Sequence, residues 1–509
     1  MVRLALAGAT GAPYPLAMRL PTLLSVTLLL CAAAAVAGCQ GKSAAVVDVD
    51  VIGTEAAPFE SGVRLSPAGQ LVRAATSEGL VTLDEQGRVI PALADRWIIT
   101  DDGLSYIFRL RDGAWSDGSP LSGESARAAL RQTLDSLAET PLALDLADID
   151  EVRAMAGRVI EIRLARPAPD LLQLLAQPEL GLMHKGRGDG PMALRREGRQ
   201  ALLTPIPPGA LGLPEPAGWK DGARAIRLHS LPAKAAVKRF GAGDVDVVLG
   251  GRFDSYPLAE PVGGLSQRMI RIDPAPGLFG LIIIKGQDFL AVPENREALA
   301  LAIDRDSLGT ALAANGWVPT TRIVAVGSAG DLGTIGERWT DLALAQRRTE
   351  ARTRLGRWKT AQGQPPVLRL ALGGGPGAAA LYARLSVDLA TIGITVQRVG
   401  EGAEADLRLI DAVARYARPE WYLNQLSCAA GRGLCSAAAD ARLADARATA
   451  DPAKRSALLA EAEAELTAAN VFIPLGNPIR WALVRDGVSG FAVNAQASHP
   501  LLPLAMRVK

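Results

Sequence analysis

Apolar and polar positions along the chain follow one of two periods, and the switches between them mark its elements. "YIFRL" (Tyr106–Leu110) alternates as a half-buried strand, bounded by the turn signals "DDG" and "RDG". After Ser122, a fair N-cap, the apolar residues Ala126, Ala129, Leu130, Leu134 and Leu137 fall on one helical face. "RVIEIRLARPAPDLLQLLAQP" repeats the succession of strand, proline turn and helix. "AIRLHSLPAKAAVKRFGAGDVDVVLGG" predicts strand, helix and strand.

From Leu278, "LFGLIIIK" is continuously apolar, the mark of a strand covered on both faces. "ENREALALAIDRDSLGTALAANGW" then reads as one amphipathic helix with Gly316 past its end. "PVLRLALGGGPGAAALYARLSVDLATIGITVQRVG" is strand, glycine loop, helix and strand, a βαβ unit of about thirty residues. Leu407–Val413 is a further strand, and "DPAKRSALLAEAEAELTAANVFIPL" a helix running into another. Strands alternate with helices throughout, so the fold class is α/β. No repeat of solenoid period interrupts the pattern.

The N-terminus departs from it. After Arg19, "LPTLLSVTLLLCAAAAVAGCQGKS" is an apolar run ending in small residues and Cys39, the form of a secretory signal. Leu20–Gly38 is also just long enough to span a bilayer. "VAGC" favours the bacterial lipobox, in which the cysteine is acylated and becomes residue one. Met18-Arg19 would itself be a conventional start of such a signal. From Ser43 to about Ser61 the chain is small and polar and is read as a tether.

Composition narrows the class. The chain has 509 residues, 49% hydrophobic and 21% charged, enough for two or three packed units. Lys+Arg number 55 against 53 Asp+Glu, and removal of residues 1–38 would take away Arg3 and Arg19 and no acid, leaving a neutral chain. No basic excess exists to attract nucleic acid. Cys31 lies in the signal and Cys39 carries the lipid, which leaves Cys428 and Cys435 in "SCAAGRGLCS". An oxidising periplasm would let them pair.

Signatures of catalysis are missing. His184, His229 and His499 are far apart in sequence, and no GxSxG, HExxH or DxDxDG motif occurs. No metal site or cofactor is expected. "GGGPG" (Gly373–Gly377) could cradle an anion between strand and helix, but it lacks phosphate-loop spacing and reads more simply as a tight turn. An enzyme is unsupported.

Together these blocks resemble the extracytoplasmic solute-binding proteins of ABC importers, in particular the oligopeptide/dipeptide-binding family, family 5. "GLVTLDEQGRVIPALADRWIITDDGLSYIFRLRDGAWSDGSPLSGESARAAL" is similar to the family's N-terminal signature, with landmarks at Pro91-Ala92-Leu93-Ala94, Trp97, Asp102-Gly103, Leu110-Arg111 and Asp117-Gly118. "GDVDVV", "NREALALAIDRDSL", "LATIGITVQ", "DPAKRSALLAEAEAELTAANVFIPL" and "GVSGF" match later parts. The Cys428 and Cys435 pair falls where some dipeptide binders carry a disulfide. Most landmarks are structural: the Asp-Gly pairs are turns, "AIDR" is a helix-end ion pair or cap, and Trp97 and Trp115 are core or lobe-packing residues.

The resemblance implies a two-lobed periplasmic-binding-protein fold of type II, hinged between lobes. Its expected divisions are a lipoprotein signal peptide (1–38), a lipidated N-terminus and tether (39–64), and lobe I (65–270) with an inserted subdomain at about 80–185. Lobe II (271–476) and a return to lobe I (477–509) follow. Expected partners are ABC permease and ATPase subunits, a peptide or small solute, and a bacterial membrane reached through the lipid. A monomer in the periplasmic space, without nucleic acid, is expected.

"LIDAVARYARPEW" (Leu409–Trp421) bears on the solute. Peptide-binding members carry here an aromatic residue and, three positions later, an aspartate that meets the peptide's amino end. A gapless register puts Ala412 at the aromatic and Arg415 at the acid, inverting the charge. Like charges about 4 Å apart repel by roughly 4 kcal/mol at an effective dielectric near 20, so a free ammonium would be disfavoured there. Arg415 would suit a carboxylate or phosphate instead. A slip of one or two residues would place it at a solvated rim, and Asp411 could supply an acid from the other strand face. Ligand-binding residues are therefore expected at Ala412, Arg415, Tyr416 and Trp421. Three functions stay open: peptide import, import of a non-peptide anion, and a lipoprotein chaperone or sensor on the same fold.

Overall fold

The computed structural model of the protein describes residues 46–263, 268–364 and 366–507. The signal run, Cys39 and the first residues of the expected tether lie outside them. The rest of the tether corrects the sequence reading: "VVDVDVI" (Val46–Ile52) is the central strand of a seven-stranded sheet. Val47, Val49 and Val51 are buried on one face, while Asp48 and Asp50 are buried on the other. Arg227 donates to Asp48 at 2.9 Å and Arg239 to Asp50 at 2.8 Å. Those partners make two aspartates tolerable in a central strand, and locally they had looked like solvated linker.

Ala225–Leu231 and Val247–Arg252 run parallel to this strand on either side. Antiparallel strands extend both flanks: Gln200–Pro205 and Met192–Glu197 on one, Arg480–Val484 and Ile270–Ile272 on the other. A second sheet orders its strands Thr395–Val399, Val367–Ala371, Leu407–Val413, Gly277–Ile283 and Phe472–Gly476. Val367–Ala371 and Thr395–Val399 are parallel across the helix Pro376–Ala390, which is the expected βαβ unit. Gly277–Ile283 is buried along its whole length between antiparallel neighbours.

The helix expected over "ENREALALAIDRDSLGTALAANGW" is two helices, Pro293–Ala302 and Arg305–Ala311. Asp304 breaks them and caps the second, accepting from the Ser307 amide at 3.3 Å. Arg305 turns inward and donates to the carbonyls of Pro474 (2.8 Å) and Ala300 (3.1 Å). The first helix is buried from Asn295 to Ala302, so no solvent face exists to give it amphipathic periodicity.

Between the first sheet's strands lies an insert with its own four-stranded antiparallel sheet, Ala94–Ile99, Ser105–Leu110, Val159–Leu164 and Ile149–Ala154. The helix Gly123–Leu137 follows Ser122, which caps the Ser125 amide at 3.2 Å. One apolar cluster joins insert residues such as Leu142, Leu171 and Leu174 to Ile410, Ala414 and Trp421 of the second-sheet side. The chain passes between the two main sheets at 273–276 and 477–479. The Asp273 amide donates to the Arg480 carbonyl at 3.0 Å, so the crossings lie side by side, as a hinge requires.

Among the described residues no helix is long and apolar enough to cross a membrane. Nor do three His, Cys, Asp or Glu side chains gather there as a metal site. The three histidines stand apart, each near a different aspartate: Asp117, Asp50 and Asp273.

Candidate functional site

The strand Leu407–Val413 and the helix Pro419–Leu426 are joined by a short link that the proline dictates. Pro419 sits at the first helical position, where its missing N–H costs nothing, and it holds Arg418 extended. The link, Ala414–Arg418, leaves the end of the second sheet's middle strand and meets the insert, where Arg415 pairs with Glu179 and Arg418 with Asp170. There the two sheets and the insert enclose a cavity of about 780 Å³. Gly250, Arg252 and Arg480 line it from the first sheet, Gln177 and Glu179 from the insert, and Ala412, Arg415 and Trp421 from the second-sheet side.

Three of the expected residues, Ala412, Arg415 and Trp421, thus stand on one wall. Tyr416 faces away, into a separate cavity of about 80 Å³. Arg415 is not idle: it donates to both carboxylate oxygens of Glu179 (2.8 and 3.1 Å) and to Gln177 Oε1 (3.0 Å). Burial pushes the Glu179 pKa up, but the Arg415 charge and hydrogen bonds outweigh it and hold the carboxyl below its ordinary value. Burial likewise opposes the Arg415 charge, and Glu179 more than restores it. Any anion seeking Arg415 would compete with a bidentate partner already in place.

Two further ties cross the same interface. Tyr416 Oη and Asn424 Nδ2 donate to Asp145 Oδ1 at 2.9 and 2.7 Å, and Arg418 pairs with Asp170. Burial pushes the Asp145 carboxyl up to about 6, with Asn424 and Tyr416 holding it from rising further. At the floor, Arg252 Nε and Nη2 reach Asp411 Oδ2 at 3.0 and 2.9 Å, and Arg480 Nη1 reaches Oδ1 at 2.7 Å. Asp411, whose side chain is 3% exposed, is thereby held by two arginines of the other sheet and is not left over for a ligand.

Glu179, Arg252, Arg480 and Arg432 escaped the sequence reading. Nothing in "AQPEL", "GGRF", "PIRW" or "GRGL" separates a cleft residue from a surface one, because each depends on what the fold sets opposite. The glycine loop is a packing device: Gly375 has φ 103°, and a Cβ at Gly377 would lie 1.9 Å from the Phe253 carbonyl oxygen. The Gly377 amide donates to Asp254 O at 2.8 Å. Cys428 and Cys435 are joined as a disulfide, Cα atoms 5.1 Å apart, and the loop they close carries Ala430 and Arg432 onto the cavity wall.

Comparison with known proteins agrees with this geometry. Residues 88–200 match the family described as bacterial extracellular solute-binding proteins, family 5 Middle. A protein of Escherichia coli K12 named as the probable deoxycholate-binding periplasmic protein YgiS is 37% identical over 121 residues, 20% of this chain and 23% of that one. The periplasmic oligopeptide-binding protein OppA of Salmonella typhimurium is 23% identical over 465 residues, 81% of this chain and 84% of its own. Haemophilus influenzae OppA, in complex with RPPGFSPFR, superposes with a TM-score of 0.77 at 17% identity, over 90% of this chain and 98% of that one. Over residues 88–200 the chain carries the middle segment of the family 5 bacterial extracellular solute-binding proteins, and its two-lobed α/β fold is similar to that of the periplasmic peptide-binding proteins.

Proposed function

We propose that the protein is the substrate-binding lipoprotein of an ABC importer, capturing a peptide or related small solute between its lobes and presenting it to a membrane permease. The cavity carries this reading: its walls come from both main sheets, and ion pairs such as Arg415–Glu179 cross it. A solute touching both walls binds the closed arrangement better than the open one, and that difference in affinity drives closure. No bond need be made or broken. The similarity to periplasmic oligopeptide-binding proteins supports a peptide and a periplasmic location.

A second reading, a non-peptide anion as the solute, is favoured by the five arginines on the wall (Arg64, Arg252, Arg415, Arg432 and Arg480) against two glutamates, Glu139 and Glu179. A thermal-shift screen of dipeptide and tripeptide pools against anionic small molecules tests both. A rise in Tm with a peptide pool supports the first, a rise with anions alone the second, and no response to either refutes solute capture. Anchoring is tested separately. Cys39→Ala should abolish acylation and release the exported protein from membranes, and unchanged partitioning and mass would refute the lipoprotein assignment.

A further inference from the structure

Of the half-buried cations on the cavity wall, one meets no carboxylate among the described residues; the exposed Arg64 donates to the Glu139 carbonyl at 3.1 Å. Arg415 is held by Glu179, and Arg252 and Arg480 share Asp411, but Arg432 donates only to the neutral Gln425 Oε1. Its Nε is buried without a partner. Burial, and then the Arg415 charge beside it, lower the Arg432 pKa from its ordinary value against a smaller opposing effect of Asp145; an anion at this spot would favour the charged form.

The arginine is held in place. Its loop is closed by the Cys428–Cys435 disulfide, and the Leu434 amide donates to Ile283 O at 2.7 Å. Gly433 lies so close to the strand beneath that a Cβ there would fall 2.4 Å from the same carbonyl oxygen. A second donor points to the same need. Trp421 stands one helical turn before Gln425 on Pro419–Leu426, so the two share a face, and both line the cavity. Trp421 is 2% exposed, yet its indole N–H has no acceptor. A buried donor in a native structure is ordinarily satisfied, so this one calls for an acceptor.

We propose that the cleft contains an anion seat in which Arg432 and the Trp421 indole N–H hold a carboxylate or phosphate group of the solute, with Gln425 fixing the arginine's orientation. The seat rests on the solute-binding reading above and adds which part of the solute is gripped, and by what. It also moves anion recognition from Arg415, which Glu179 neutralises, to a residue left uncompensated. An oxyanion offers several lone pairs, enough for a guanidinium and an indole donor together.

Calorimetry on the purified full-length protein would use tripeptides with free carboxyl ends, the same tripeptides amidated, succinate and inorganic phosphate. Binding of free-acid peptides over amidated ones seats a peptide carboxylate; binding of succinate or phosphate alone seats a non-peptide anion. Either result supports the seat if Arg432→Gln weakens that anion by about tenfold or more, as loss of a charge-assisted bond should. Trp421→Phe, which keeps the ring and removes the donor, should weaken it several-fold, and Arg432→Lys should retain part of the affinity. Melting curves of each variant separate lost binding from lost fold, and Trp421→Phe decides the matter if Arg432→Gln does not fold. Amidated peptides bound as tightly as free acids, or an anion bound unchanged by Arg432→Gln or by Trp421→Phe, would overturn the seat and leave solute capture standing. Silence of the wild type toward every probe would overturn the solute-binding reading and the seat with it.

Discussion

Removing Arg415 while leaving Glu179 should open the unliganded protein, to an extent set by pH. In the closed arrangement Glu179, with its side chain 6% exposed, accepts two hydrogen bonds from Arg415. Without the arginine a buried carboxylate is left unpaired, a loss of about 3–5 kcal/mol for pairs of this kind. Protonation caps that penalty. A carboxyl of ordinary pKa near 4.3 costs about 3.7 kcal/mol to protonate at pH 7 and about 1 kcal/mol at pH 5. Arg415→Gln should therefore lower the ratio of closed to open protein several-hundredfold at pH 7 and only about fivefold at pH 5.

The double variant Arg415→Gln/Glu179→Gln carries no orphaned charge and should recover most of the closure at both pH values. In the wild type the sign is reversed, because the closed form holds the Glu179 pKa below its ordinary value. Its contribution to closure is then complete at neutral pH and is lost only as pH falls through that lowered pKa. Small-angle X-ray scattering reads the outcome as radius of gyration. An Arg415→Gln protein as compact as the wild type at pH 7, or a double variant as open as the single one, would refute the reasoning.

Three further outcomes are expected. Asp145, pushed up to about 6 in the closed form, favours closure fully below its ordinary pKa and loses that contribution as pH rises through about 6. Scattering or ligand affinity should thus show tighter closure at pH 5 than at pH 7, and Asp145→Asn should flatten the difference. Replacing Cys428 and Cys435 together by Ser should cost about 2.5 kcal/mol in chemical denaturation, given a sequence separation of 7. Labelling of both thiols in unreduced, unfolded protein would show that they are not joined. Gly377→Ala places a methyl group against the Phe253 carbonyl and should cost about 2 kcal/mol or more, read from the denaturation midpoint.

The sequence alone determined what depends on neighbours along the chain. Alternation at Tyr106–Leu110, the cap at Ser122, the buried run at Gly277–Ile283 and the strand–glycine–helix–strand unit from Val367 to Val399 were all legible. Each reports a period of burial or a local hydrogen bond, which a few adjacent residues set. The short reach from Cys428 to Cys435 belongs to the same class. Where a local rule needed a distant partner, the sequence misled. Val46–Ile52 looked like linker because its aspartates are answered by Arg227 and Arg239, which lie far along the chain. The buried helix ending at Ala302 shows no solvent face from which its break at Asp304 could be read. The cleft was the least legible part. Placing Arg415 on its wall needed only a register, whereas its partner Glu179 lies 236 residues away, and Asp411 meets Arg252 159 residues distant. Guanidinium groups look alike in sequence. Which of them is neutralised was decided only when folding set one segment's charges against another's, because Coulomb energy depends on distance in space and not on spacing along the chain.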